Sequence, residues 1–183
     1  RIGDQAPDFD ALTTTGPMKF SEYMKDSWVI LFSHPADFTP VCTTELSGFA
    51  QEKKWFAERN TKLIGESIDS IHSHVAWVQN VREKTGVYMD FPIIADIDMK
   101  VARLYGMLHD NASSTAAVRA VFFIDPKGII RLIMYYPLNV GRNMDEIKRV
   151  LEAMQTADEK GCAMPLNWVK GAKVILPPPK TLK

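Results

Sequence analysis

The apolar run Trp28-Val29-Ile30-Leu31-Phe32 leads into His34-Pro35-Ala36-Asp37-Phe38-Thr39-Pro40-Val41-Cys42, then into Thr43-Thr44-Glu45-Leu46 and a helical pattern. A short continuous apolar run of this kind reads as a buried strand. The chain must therefore pass from an inner strand through a brief loop into a helix, and it delivers a cysteine to the first helical turn. Backbone N–H groups there lack intrahelical partners, and the helix dipole favours negative charge. Cys42 is thus expected where a thiolate, the reactive form of cysteine, is stabilised.

Strand and helix patterns alternate along the rest of the chain. The first helix, over about residues 42–60, carries Leu46, Phe49, Ala50 and Phe56 on one side. Residues 62–68 read as a strand, and residues 70–84 as a helix with Ile71, Val75 and Val78 in period and Gly86 as its stop. Residues 91–96 form a short strand, edge-like because of Pro92. Asp98 is expected to cap a short helix through Tyr105, ended by Gly106. Residues 120–124 and 129–136, joined by Asp125-Pro126-Lys127-Gly128, read as a hairpin. Asn143 caps the last long helix, with Glu146 completing a capping-box-like pair and Ile147, Val150, Leu151, Met154 and Ala157 as its inward stripe. This order argues for an α/β sandwich. Gly3 to Phe9 is an extended opening segment. After Gly161 come Pro165, Trp168, Gly171 and the triplet Pro177-Pro178-Pro179, which favours polyproline II, so an extended arm is expected. The expected division is a domain over residues 1–160 and an arm over 161–183.

A chain of 183 residues, 46% hydrophobic, is long enough to bury a sizeable core. Lys+Arg and Asp+Glu are 22 each, so there is no basic surplus to neutralise phosphates, and nucleic acid is not an expected partner. Neither a membrane-spanning run nor a signal peptide is read in the sequence, so no membrane association is expected. Cys42 and Cys162 do not make a disulfide framework, and a reducing compartment, the cytoplasm, is expected.

The spacing Pro-x-x-x-Thr-x-x-Cys, formed by Pro35, Thr39 and Cys42, resembles the active-site signature of the peroxiredoxins, thiol peroxidases of the AhpC/TSA family. The string from Phe32 to Glu45 is most similar to the one-cysteine subgroup, relatives of mammalian peroxiredoxin six, and the resemblance continues to the closing Pro177-Pro178-Pro179-Lys180-Thr181-Leu182-Lys183. It implies a thioredoxin-like fold, a mixed central sheet flanked by helices. It implies reduction of hydrogen peroxide and alkyl hydroperoxides through a Cys42 sulfenic acid, without cofactor, with an external thiol as reductant. It also implies a homodimer or a larger ring. Relatives continue past this closing segment, so a further tail is left open.

Peroxide reduction needs an ionised sulfur, donors that align the O–O bond, and charge to meet the departing oxygen. Cys42 supplies the sulfur. Thr39 lies one turn earlier, within reach of sulfur or peroxide. Pro35 lacks an N–H and stiffens the loop that shields the sulfur. Arg119 enters a buried strand, where an arginine is costly unless paired. The resemblance makes it the active-site arginine, and makes Glu45 and Arg142 its supporting pair. His34 is either an electrostatic modulator of the site or a packing histidine. His72 and His74 form an HxH, but side chains two apart on a helix do not share a face, so no metal is expected.

Two-cysteine relatives place a resolving cysteine directly before a Pro-x-x-Trp segment. Here Cys162 stands three residues before Pro165, so an inert thiol is favoured over a resolving one. Relatives close to peroxiredoxin six carry a lipase serine in a GxSxG-like turn. Ser27 aligns with it but lacks the flanking glycines, and Ser21 replaces the family histidine, so no lipase activity is expected. The alternatives to an antioxidant peroxidase are a redox sensor or stress holdase triggered by Cys42 oxidation, and a thioredoxin-like disulfide exchanger. The last is disfavoured by the lack of a CxxC.

Overall fold

The computed structural model describes residues 1–179 and Thr181; Lys180, Leu182 and Lys183, the end of the expected arm, lie outside the described residues. The chain forms two compact units, Arg1–Arg142 and Asn143–Lys183.

The first unit is built on a mixed sheet. Its strands are β1 (Asp10–Thr13), β2 (Gly16–Lys19), β3 (Trp28–Ser33), β4 (Thr61–Ser67), β5 (Ile93–Ala95), β6 (Arg119–Ile124) and β7 (Ile130–Tyr136), in the order β2-β1-β5-β4-β3-β6-β7. β3, β4 and β5 run parallel, while β6 and β7 form an antiparallel hairpin beside β3. The helices of this unit are α1 (Phe20–Met24), α2 (Pro40–Ala57), α3 (Ile71–Thr85) and α4 (Lys100–Leu104).

Every residue of β3 is buried, which is why its sequence is continuous rather than alternating. Val29 and Leu31 join a cluster with Phe9, Phe20, Ile64, Tyr105 and Phe122. Phe32 points to the other face and stacks on Phe49 of α2, with ring centroids 3.9 Å apart. Each such side chain contributes roughly 1.5–3 kcal/mol by leaving water. The strand that aims the site loop is thus clamped on both faces.

Several expectations hold closely. Gly86, at φ 75°, closes α3 as expected, and Ser70, not singled out as a cap, starts it by accepting from Ser73 N at 3.2 Å. Gly128, at φ 80°, makes the turn between β6 and β7. Others need correction. The strand expected at an edge, β5, is internal, lying between β1 and β4. Pro92 immediately precedes it, so the missing N–H interrupts no ladder bond within the strand. Asp96 anchors α4 more firmly than the expected Asp98: its carboxylate accepts from Val101 N at 2.9 Å and Ala102 N at 2.7 Å, while Asp98 Oδ1 accepts only from Lys100 N, at 3.3 Å, and Met99 is the N-cap. The β1–β2 hairpin and α1 follow the extended opening where no element was expected. That opening pairs with the start of β7, Gly3 N donating to Ile130 O at 2.8 Å.

In the second unit α5 (Met144–Lys160) buries Ile147, Val150 and Leu151, with Met154 and Ala157 half-buried. Asn143 caps it by accepting from Glu146 N at 3.1 Å, but the Glu146 carboxylate turns to Arg149 instead of closing a capping box. Beyond Gly161, paired hydrogen bonds between Ala163 and Ile175 close a loop that contains Trp168. Among the described residues no helix is long and apolar enough to cross a membrane.

Candidate active site

The β3–α2 loop ends at Thr39, the N-cap of α2, with Pro40 at the start of the helix, where a missing N–H costs nothing. Cys42 lies in the first turn and is fully buried. The Thr39 hydroxyl donates to Ala36 O at 2.9 Å instead of capping the helix. Its one proton is used there, so its oxygen remains free to accept. Pro35 is half-buried in the same loop.

β6 begins at Arg119, which is buried beside the cysteine: Nη1 lies 3.4 Å from Cys42 Sγ. The same nitrogen donates to Glu45 Oε2 at 2.7 Å, while Nε and Nη2 donate to Leu138 O at 2.9 and 2.6 Å. Glu45, one turn after Cys42, is held a second time by Arg142. Arg142 N and Nε donate to Oε1 at 2.7 and 2.9 Å, and Nη2 donates to Oε2 at 2.7 Å. Arg142 Nη1 reaches the carbonyls of Ser33 and Ala120, tying the pair to β3 and β6. Burial pushes the Glu45 carboxyl up, but the charge and hydrogen bonds of Arg142, then the charge of Arg119, outweigh it and hold the pKa below the usual glutamate value. Cys42, Arg119, Glu45 and Arg142 therefore form one charged cluster, and Thr39 and Pro35 belong to the loop that leads into it.

His34 is buried, and its Nε2 lies 2.8 Å from Asp37 Oδ1. Burial lowers its pKa, with the Asp37 carboxylate pulling the other way, and Nδ1 has no partner among the described residues. Asp37 is desolvated too, yet the hydrogen bonds of His34 and His74 bring its pKa down to about 2. His74 is fully buried, unlike exposed His72. His34, Asp37 and His74 bring potential metal-ligand atoms within 4.8 Å of one another. The nitrogen–oxygen separations of 2.7 and 2.8 Å are those of direct hydrogen bonds, however, and an ion about 2 Å from each atom would hold them further apart. Sequence reasoning missed the link between Asp37 and His74, which stand 37 residues apart.

Cys162 lies in the second unit, half-buried, with Sγ 3.9 Å from Thr156 O. The Ser27 hydroxyl lies 3.2 Å from Asn60 Oδ1, and the Ser21 hydroxyl donates to Asp8 Oδ2 at 2.9 Å.

Residues 2–133 match the AhpC/TSA family, and residues 153–183 match the C-terminal domain of 1-Cys peroxiredoxin. A peroxiredoxin 2 of Caldanaerobacter subterraneus is 56% identical over 181 residues, covering 99% of this chain and 81% of its own. A peroxiredoxin of Aquifex aeolicus is 53% identical, covering 99% of this chain and 86% of its own. Among solved structures, a yeast mitochondrial 1-Cys peroxiredoxin, described as resolved via glutathione/thioredoxin systems, superposes with a TM-score of 0.91 at 49% identity, covering 97% of this chain and 86% of its own. A mutant of peroxiredoxin 6 from Arenicola marina gives a TM-score of 0.93 at 37% identity, covering 100% of this chain and 86% of its own. With a thioredoxin-like sheet carrying a buried cysteine beside a paired arginine, and with these relatives, the chain belongs to the AhpC/TSA family and is a peroxiredoxin, a thiol-dependent peroxidase.

Proposed function

We propose that Cys42 is the sulfur that reduces the peroxide. As a thiolate it attacks one peroxide oxygen; the S–O bond forms as the O–O bond breaks, and sulfur is oxidised to sulfenic acid. The second oxygen leaves as hydroxide or alkoxide and takes up a proton to give water or an alcohol. The observation that carries this reading is the 3.4 Å approach of Arg119 Nη1 to Cys42 Sγ inside a buried site. That guanidinium meets the charge of the departing oxygen. Thr39 accepts a proton-bearing peroxide oxygen, Pro35 shields the loop, and Glu45 with Arg142 holds Arg119 in place.

An external thiol then condenses with the sulfenic acid, releasing water. A second thiol reduces the mixed disulfide to restore Cys42. Glutathione or thioredoxin suits this role, by analogy with the yeast neighbour. Cys162 takes no part. Two free cysteines suit a reducing compartment such as the cytoplasm. β7 ends the sheet, and an apolar strand edge is best covered by a second copy in a homodimer; sedimentation showing only monomer at working concentration would reject that part. The sensor or holdase alternative is not favoured, because a trigger thiol needs no arginine fixed beside it.

The test is peroxide consumption by wild type, Cys42→Ser and Cys162→Ser, with dithiothreitol and then thioredoxin or glutathione as reductant. Loss of turnover in Cys42→Ser alone is expected. Loss of thioredoxin-driven turnover in Cys162→Ser would overturn the one-cysteine cycle.

A further inference from the structure

The loop carrying Pro35 and Thr39 passes through a conformation that side chains resist. Phe38 sits at φ 59°, in the left-handed region, with its ring exposed. A bulky residue stays there only when its surroundings over-determine it.

The residue before it supplies that constraint. The Asp37 N–H donates to Asp69 Oδ2 at 3.1 Å, and Asp69 Oδ2 in turn accepts from Ser67 Oγ at 2.6 Å. Asp37 Oδ1 takes the His34 ring. Asp37 Oδ2 accepts from Ser73 Oγ at 2.8 Å and lies 2.7 Å from His74 Nδ1. The far nitrogen of His74, Nε2, donates to Ile94 O at 3.0 Å. The ring thus bridges the Asp37 carboxylate and the Ile94 carbonyl. It is a rigid strut from the main chain of β5 to the middle of the site loop. One turn further along α3, Trp77 Nε1 donates to Thr43 Oγ1 at 3.3 Å and so grips the start of α2. The α3 residues Ser73, His74 and Trp77 thus hold the chain on both sides of Thr39.

We infer that His74 is a positioning residue for peroxide reduction: through Asp37 it fixes the loop in the register that places Thr39 relative to Cys42. It touches neither sulfur nor peroxide. The inference rests on the reading of Cys42 as the reacting sulfur. Peroxide reduction requires Thr39, Arg119 and the sulfur aligned together. Alkylation by iodoacetamide requires only a thiolate and access. A loosened loop therefore slows the first reaction more than the second.

The experiment measures both rate constants for wild type, His74→Leu, His74→Asn and His74→Gln, with thermal melting alongside. His74→Leu is expected to slow Cys42 oxidation by hydrogen peroxide about 10- to 100-fold, the cost of a small misplacement, with alkylation within about threefold of wild type. The amide of asparagine takes the place of Nδ1 and renews the bond to Asp37, so His74→Asn recovers most of the loss. The amide of glutamine takes the place of Nε2, and His74→Gln does not recover it. Should His74→Leu fail to fold, Ser73→Ala removes a single donor to the same Asp37 oxygen and is expected to give a smaller, peroxide-selective loss. Wild-type oxidation rates in the variants, parallel loss of both rates, or no advantage of His74→Asn over His74→Leu would each overturn the inference. A wild-type protein that consumes no peroxide would overturn the Cys42 reading and this inference together. Normal wild-type turnover with unaffected variants would overturn this inference alone.

Discussion

The Arg142 guanidinium spans the Glu45 carboxylate, with Nε 2.9 Å from Oε1 and Nη2 2.7 Å from Oε2, and both side chains are buried. A planar fork on a carboxylate fixes orientation as well as distance. Glu45 is thereby set to receive Arg119, so the arginine at the sulfur depends on a pair it does not belong to.

Removing the carboxylate charge tests this dependence. Glu45→Gln leaves buried guanidiniums without their counter-charge and is expected to cost about 3–5 kcal/mol in urea unfolding, together with slower Cys42 oxidation. Arg142→Lys keeps the charge but loses the fork, and the same assays should show a smaller loss of both. Unchanged stability in Glu45→Gln would show that the pair does not hold the cluster.

Arg119 itself is expected to carry a larger share of the rate. Arg119→Met removes the donor at Cys42 and should lower the second-order rate constant for hydrogen peroxide by about 100-fold or more in stopped flow. Arg119→Lys should rescue little, because an ammonium cannot serve Leu138 O, Glu45 and Cys42 as the guanidinium does. Equal rates for Arg119→Met and wild type would remove the basis of the proposed chemistry.

Thr39 separates accepting from shaping. Thr39→Ser keeps the hydroxyl and should stay within about fivefold of wild type, while Thr39→Val keeps the shape and should fall about 10- to 100-fold. The reverse order would mean that the methyl group, not the oxygen, matters.

Glu66 should make stability fall as pH rises above the ordinary glutamate range. This residue is fully buried in β4, with the Asp96 carboxyl as its neighbour. Burial, then the charge of Asp96, raises its pKa well above the ordinary glutamate value. The folded chain therefore keeps a proton that the unfolded chain releases at lower pH. The stability it contributes is complete below the unfolded glutamate value and is lost as pH rises towards the folded one. The slope approaches about 1.4 kcal/mol per pH unit. Urea unfolding of wild type and Glu66→Gln from pH 5 to 8 should show wild type losing stability relative to the variant as pH rises. Parallel lines would reject this account.

The fold was legible wherever a strand or helix carried its own pattern. β3 and the β6–β7 hairpin announced themselves by apolar runs, and α3 by its apolar period and its glycine. The β1–β2 hairpin did not, because Asp10–Thr13 and Gly16–Lys19 are mostly exposed and lack a continuous apolar stretch. The edge reading of β5 failed because Pro92 stands just outside the strand. At the site, the spacing of Pro35, Thr39 and Cys42 is local and could be read directly. Arg119 and Arg142 needed the family resemblance to be linked with Cys42. The link between Asp37 and His74 had no local signal, since it joins a loop to a helix 37 residues later and then to Ile94.

The buried cluster has an electrical consequence for the proposed cycle. Arg119 and Arg142 bring two positive charges, Glu45 one negative, and an ionised Cys42 would complete the balance. Once the sulfur becomes a neutral sulfenic acid, one positive charge is left unmatched away from water, where such an imbalance is costly. In the proposed cycle an incoming thiolate reductant would restore the balance.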